Sequence, residues 1–285
     1  FPTVPFPNPE EAGALDMAIE QAREQGADLI IAVDPDADRC ALAVPDPSSE
    51  TGWSPLSGDQ TGSLLGEFLA SRGMRGSLAN SIVSSRLLSR IARAHGLEHH
   101  TTLTGFKWIA RAPGLGFGYE EAIGFCPDPA HVRDKDGIAT SVVAASLVAA
   151  LKAQGRSVWD ELERLARLHG LHVSSPLTFR VEEIEQIASG MARLRAQPPS
   201  VLAGSPVVEV SDLSQGYRGL PPTDGVLVLT EAGDRVIARP SGTEPKLKCY
   251  LEVILPVTEG EPLPWDQARE RLDAIKGAFA EIIGL

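Results

Sequence analysis

The chain has 285 residues, 43% hydrophobic and 22% charged, a composition that excludes a disordered chain and leaves room for about two domains at roughly 150 residues each. Its formal net charge of −12, without any basic block, argues against nucleic acid and against an anionic membrane as partners. Cys40, Cys126 and Cys249 are widely spaced and odd in number, which argues against a disulfide framework and a cysteine zinc site and fits a reducing compartment.

The chain opens on a predicted helix. Asn8 is placed to cap it, Pro9 to occupy its first turn and Gly26 to close it, with Leu15, Ala18, Ile19 and Ala22 on one apolar face. The unbroken apolar run Leu29 to Val33 predicts a strand covered on both sides, and Cys40 to Val44 predicts its neighbour. Residues 45–57, rich in Pro, Ser and Gly, read as a connection. Asp59 is a candidate cap for a helix carrying Leu64, Leu65, Phe68 and Leu69. Strands near Leu78–Val83, Leu97–Leu103 and Leu115–Tyr119 alternate with a helix that ends before Gly96. Helices over Gly137–Gln154 and Val158–Leu168 complete this α/β pattern. Within the first of them, the apolar stretch Ala139 to Leu151 is too short to span a membrane, and no secretion signal is visible at the start. From about Ser174 the pattern changes to short strands near Leu177–Val181, Val207–Val210, Val226–Leu229, Val236–Ala238 and Leu247–Leu255, with a helix to Arg195 and a final helix over Pro264–Ile283. The expected fold is therefore α/β: mixed sheet-and-helix domains followed by a C-terminal α+β domain with a small antiparallel sheet.

Three loops carry chemistry. Asp34-Pro35-Asp36-Ala37-Asp38-Arg39 joins two apolar strands and places three carboxylates at alternate positions. A pair of them about 4 Å apart costs about 4 kcal/mol at an effective dielectric of about 20, and a hard divalent cation removes that cost. The plainer reading is a solvated acidic turn. Arg239-Pro240-Ser241-Gly242-Thr243-Glu244-Pro245, followed by Lys246 and Lys248, combines a bidentate cation with neutral hydroxyl and amide donors, as a phosphate site requires, or is an ordinary β-turn. Gly118 to Gly124 puts Glu120 and Glu121 at the mouth of a sheet, where a carboxylate can accept sugar hydroxyls or simply be solvated. His131 to Gly137 and Gly105-Phe106-Lys107-Trp108 bring further cations whose bland readings are a charged loop and a snorkelling lysine.

Taken together and in this order, these motifs resemble the α-D-phosphohexomutase family of phosphoglucomutases and phosphomannomutases. The resemblance implies that Asp34, Asp36 and Asp38 hold magnesium (Mg2+), that Glu120 contacts substrate hydroxyls, and that Lys107 and Arg133 bind substrate. It further implies that Arg239, Ser241, Gly242 and Thr243 hold the phosphate that is not being transferred, and that Arg39 and Lys135 assist transfer. Ala122 stands where many members have Ser, so one hydroxyl contact is lost or replaced. The implied activity is phosphate movement between the 1- and 6-positions of a hexose phosphate, through a phosphoserine and a sugar bisphosphate, in the cytoplasm. The implied layout is a remnant of domain 2 over residues 1–50, domain 3 over 51–172 and domain 4 over 173–285. The family's Thr-x-Ser-His-Asn nucleophile motif is not found here and the chain begins at Phe1, so the expected partner is a missing N-terminal part of the same protein, without which the chain is inactive. Two rivals remain: a fragment that only binds metal and sugar phosphate, and a phosphatase with an aspartate nucleophile.

Overall fold

The computed structural model describes Val4, residues 7–241 and residues 244–284. The chain folds as two compact units, Phe1–Arg164 and Leu165–Leu285.

In the first unit, helix α1 spans Asp16–Gln25 and so begins later than the Asn8 cap predicts. The Asn8 side chain accepts the Glu10 amide at 3.1 Å and its carbonyl accepts the Glu11 amide at 3.0 Å, which closes a tight turn instead. Gly13, at φ 80°, then leaves the right-handed region, and the helix starts beyond it. Strands β1 (Ile30–Val33), β2 (Cys40–Pro45) and β3 (Trp53–Pro55) form an antiparallel sheet in that order. Ile30 faces α1, whereas Ile31 and Val33 are 37% and 38% exposed, so β1 is covered on one face only, contrary to its apolar run. β3 was hidden in the stretch read as a connection; its Trp53 packs into the α1 cluster.

Helix α2 (Gly58–Ser71) is capped by Ser57, whose hydroxyl accepts the Gln60 amide while the Gln60 side chain accepts the Ser57 amide. Asp59, the expected cap, turns inward: it accepts the Ser85 amide at 2.7 Å and the Tyr119 hydroxyl at 3.0 Å. The second sheet runs β5-β4-β6-β7, from β4 (Ser77–Ser81), β5 (His99–Thr102), β6 (Leu115–Glu120) and β7 (Gly124–Cys126). Pairing is parallel except for β6 with β7. Helices α3 (Leu87–Ala94), α4 (Phe106–Ile109), α5 (Gly137–Ala153) and α6 (Val158–His169) complete this part of the chain. β7 and α4 escaped the sequence reading because three or four residues are too few to show a period.

α2 lies unusually close to β6. Gly58, Gly62 and Gly66 recur every four residues along one stripe of the helix. A Cβ on Gly58 would sit 2.0 Å from the Glu121 carbonyl oxygen, and one on Gly62 2.5 Å from the Tyr119 ring. The bare stripe thus lets the helix press the end of β6 into place.

The second unit is one antiparallel sheet in the order β8-β13-β12-β11-β10-β9. Its strands are β8 (Leu171–Arg180), β9 (Val201–Leu202), β10 (Ser205–Asp212), β11 (Val226–Thr230), β12 (Arg235–Pro240) and β13 (Lys246–Leu255). Helices α7 (Ile184–Ala196) and α8 (Trp265–Ile283) pack Leu194, Ile275 and Phe279 against Leu247, Cys249, Leu251 and Val253. Arg271 of α8 donates to the fully buried Asp234 carboxylate at 2.9 and 2.7 Å, tying the helix to the start of β12. Among the described residues, no single helix is long and apolar enough to cross a membrane.

Gly58→Ala should lower the unfolding free energy by about 1–3 kcal/mol, the range for overpacking against a surface that cannot yield. Denaturant unfolding followed by tryptophan fluorescence measures it, and an unchanged midpoint would mean that α2 and β6 have slack.

Candidate functional site

The hairpin between β1 and β2 is short, so Asp34, Asp36 and Asp38 converge: each offers a carboxylate oxygen within 4.8 Å of the others. Two features shape the turn. The Ala37 amide donates to the Asp34 carbonyl at 3.0 Å, with Ala37 itself at φ 59°, a left-handed conformation rare for a residue with a Cβ. The Arg39 amide donates to Asp34 Oδ1 at 3.0 Å, and Arg39 Nε lies 3.8 Å from Asp34 Oδ2.

The remaining side chains answer the negative charge. Lys135 Nζ is 2.6 Å from Asp38 Oδ2, with the lysine side chain only 17% exposed. Asp38 Oδ1 is buried and has no hydrogen-bond partner among the described residues. Burial holds the Asp34 carboxyl above its ordinary range; the Arg39 amide opposes that shift, while Asp38 and Asp36 add to it. α5 starts hard against the turn, where the Gly137 amide donates to the Ala37 carbonyl at 3.1 Å. A Cβ on Gly137 would be 2.6 Å from the carbonyl oxygens of Ala37 and Arg39, so only glycine permits that approach.

The loop after β6 meets the same turn. The Cys40 amide donates to the Ile123 carbonyl at 3.0 Å, and Arg39 bridges Gly124. Ile123, at φ 53°, is a β-branched residue in the left-handed region and is fully buried. Glu121 is a structural anchor: its Oε2 accepts the hydroxyls of Ser81 and Ser84, each at 2.9 Å. Glu120 is left facing the aspartate turn. Burial pushes its carboxyl up to about 7; Glu121 adds to the shift, Lys135 and Arg39 oppose it, and Asp38 adds a smaller push.

The structure thus brings Asp34, Asp36, Asp38, Arg39, Glu120 and Lys135 together in one unit. Arg133 donates instead to the carbonyls of Ala110 at 2.6 Å and Ala112 at 3.4 Å, and Lys107 is exposed with its Nζ 5.9 Å from the Trp108 ring centroid. Sequence reasoning missed Gly58 and the two serines, Ser81 and Ser84, that anchor Glu121. The Gly58-x3-Gly62-x3-Gly66 spacing was the available signal for the first of these; the Glu121 anchor leaves none.

In the second unit, Arg239, Pro240, Ser241, Glu244, Lys246, Lys248 and Tyr250 line a concavity of about 250 Å3. Arg239 on β12 stands directly opposite Lys248 on β13, and Lys246 opposite Arg180 on β8. The Ser241 amide donates to the Lys246 carbonyl at 2.9 Å, and Lys246 pairs with the Glu244 carboxylate, which that contact holds below its ordinary range. Gly242 and Thr243 lie outside the described residues.

The first unit thus carries an all-carboxylate turn and the second a cationic concavity. Three matches specify the class. Residues 1–48, 57–168 and 178–254 match, in order, the family models for phosphoglucomutase/phosphomannomutase alpha/beta/alpha domain II, alpha/beta/alpha domain III and the C-terminal domain. The chain therefore belongs to the phosphoglucomutase/phosphomannomutase family, the α-D-phosphohexomutases. It is 46% identical over 254 residues to a Haemophilus influenzae protein named "Probable phosphomannomutase", covering 88% of this chain and 51% of that protein. It is 32% identical over 318 residues to a Mus musculus phosphopentomutase, covering 99% of this chain and 50% of that one. The chain thus spans about half the length of the curated relatives it matches. The crystal structure of the Paramecium phosphoglucomutase pp63/parafusin shares the fold, with a TM-score of 0.70 at 19% identity over 100% of this chain and 52% of that one.

Because the Glu120 carboxyl is raised from 4.5 to about 7, its folded form favours the proton. The stability that this confers is complete below the unfolded value and is lost as pH rises through the folded one. With divalent cations chelated, Glu120→Gln should therefore melt at a higher temperature than the parent at pH 8, with the difference shrinking as pH falls toward 4.5. Thermal melts across that range give the answer, and a pH-independent difference would contradict the shift.

Proposed function

We propose that this chain carries the cation-, sugar- and phosphate-binding parts of a phosphomutase that moves a phosphoryl group between the 1- and 6-positions of a hexose phosphate, through a phosphoserine and a sugar bisphosphate. The observation that carries the reading is the convergence of three carboxylates on a turn bridged directly to the Glu120 loop. An all-oxygen donor set with one buried oxygen, on Asp38, that has no partner among the described residues fits a hard divalent cation, magnesium. When bound, the cation would supply neutralisation of charge on the transferring group.

The chain's own residues do the rest. Glu120 accepts ring hydroxyls and orients the sugar. Lys135 and Arg39 place positive charge beside the reacting phosphate, where they stabilise the oxygens that gain charge as the phosphorus–oxygen bond to the donor breaks and the bond to the sugar hydroxyl forms. Arg239 and Ser241, with Lys246 and Lys248 lining the same concavity, grip the phosphate that is not being transferred. The phosphoserine belongs to a further domain; the 285 residues contain no Ser-His pair, and the matched relatives are about twice as long. The isolated chain then binds sugar phosphate without turning it over. Three free, buried cysteines support a cytoplasmic setting.

Phosphorus NMR of the chain with magnesium, glucose 1-phosphate and a trace of glucose 1,6-bisphosphate tests this directly. The expected result is magnesium-dependent line broadening without conversion, and conversion once the serine-bearing domain is supplied. Glucose 6-phosphate formed by the chain alone would overturn the assignment of the nucleophile, and free inorganic phosphate would overturn the mutase reading. Asp36→Asn should weaken magnesium-dependent thermal stabilisation by at least about tenfold in apparent affinity, and an unchanged stabilisation would remove the cation from this turn.

A further inference from the structure

We propose that Lys135 couples cation binding to sugar binding, one ammonium serving both the aspartate turn and Glu120 so that occupancy of either side strengthens the other. This rests on the reading of the aspartate turn as the cation site and adds a regulation to it.

Lys135 reaches both loops from a third segment. Its Nζ holds Asp38 Oδ2 at 2.6 Å, which leaves the other carboxylate oxygen of Asp38 buried and unpartnered among the described residues. Its stem crosses β7 at Gly124. A Cβ there would lie 2.7 Å from Lys135 Cδ and 3.0 Å from both Cγ and Oε1 of Glu120, so the two side chains share the space over one bare glycine. Lys135 is also the leading group that favours the charged form of Glu120 against its burial. Arg39 also favours the charged form of Glu120, but less than Lys135 does, and it pairs with Asp34 at 3.8 Å rather than with Asp38.

A divalent cation on the three aspartates competes with the ammonium for Asp38. The weakened pair releases Lys135 toward Glu120 and toward a sugar phosphate held there. Conversely, a sugar phosphate that draws Lys135 away uncovers Asp38 for the cation. Coupling of this kind is reciprocal by necessity.

Isothermal calorimetry with magnesium chloride and glucose 6-phosphate, each titrated with and without the other at saturation, measures the coupling. Each ligand should tighten the other by the same factor, about fivefold or more. In Lys135→Met the factor should fall to about one, while magnesium alone binds at least as tightly as in the parent, since a competing positive charge is gone. Lys135→Arg should restore part of the factor, which a purely structural role of the stem would not require. Gly124→Ala, which crowds the stem without changing any charge, should also lower it. A parent factor of one, or a factor that survives Lys135→Met, overturns the coupling and leaves the cation site standing. Magnesium heats unchanged in Asp36→Asn overturn the cation site, and the coupling with it.

Discussion

Repulsion among three carboxylates is the constraint around which the first unit is organised. With oxygens within 4.8 Å, each ionised pair costs at least about 3.5 kcal/mol at an effective dielectric of about 20. The surrounding elements all supply compensation. The Arg39 amide donates to one oxygen of Asp34, Lys135 pairs with one oxygen of Asp38, and α5 begins beside the Ala37 carbonyl, bringing the positive end of a 17-residue helix to the turn. None of these neutralises all three groups, which leaves the cluster charged for a cation.

The turn and the Glu120 loop are built as one body. Both pass through a left-handed residue that is not glycine, Ala37 in one and Ile123 in the other, at about 1–3 kcal/mol each. Such conformations persist only where neighbours over-determine them, and here each loop is held by the other through the Cys40–Ile123 hydrogen bond and the Arg39–Gly124 bridge. α2 presses on the same loop from behind, through Gly58 against Glu121. The geometry between aspartates and Glu120 is thereby set by backbone contacts, which are stiffer than side-chain contacts. Lys135 joins the set through its side chain alone, by its pair with Asp38.

The second unit solves a different electrostatic problem by strand alternation. One face of its sheet packs on α7 and α8, and the other carries Arg239 beside Lys248 and Lys246 beside Arg180. Like charges directly opposite one another on a sheet are unfavourable. Glu244 relieves one of the two pairs through Lys246, and the other is the one that an anionic ligand would relieve in the proposed reading. A phosphate is the ligand that a bidentate arginine and adjacent ammonium groups match best.

The composition of the candidate site was legible in the chain, because carboxylates at alternate positions, or Arg-Pro-Ser-Gly between strands, mark their loops locally. So were the strand periods, and with them the α/β layers and the antiparallel sheet. Local signals also misled: Asn8 and Asp59 are good capping residues, but one closes a turn and the other turns inward to Ser85 and Tyr119. The apolar run of β1 could not reveal that Ile31 and Val33 face outward. Tertiary structure alone decided which of two adjacent glutamates faces the aspartates. Glu121 is held by serines some forty positions away, and Glu120 is raised by a burial that no sequence period encodes. The same holds for the Lys135–Asp38 pair, nearly one hundred residues apart along the chain. Residue type and spacing determine what a loop can bind. Partner and protonation state follow from distance and dielectric, which exist only once the chain has folded.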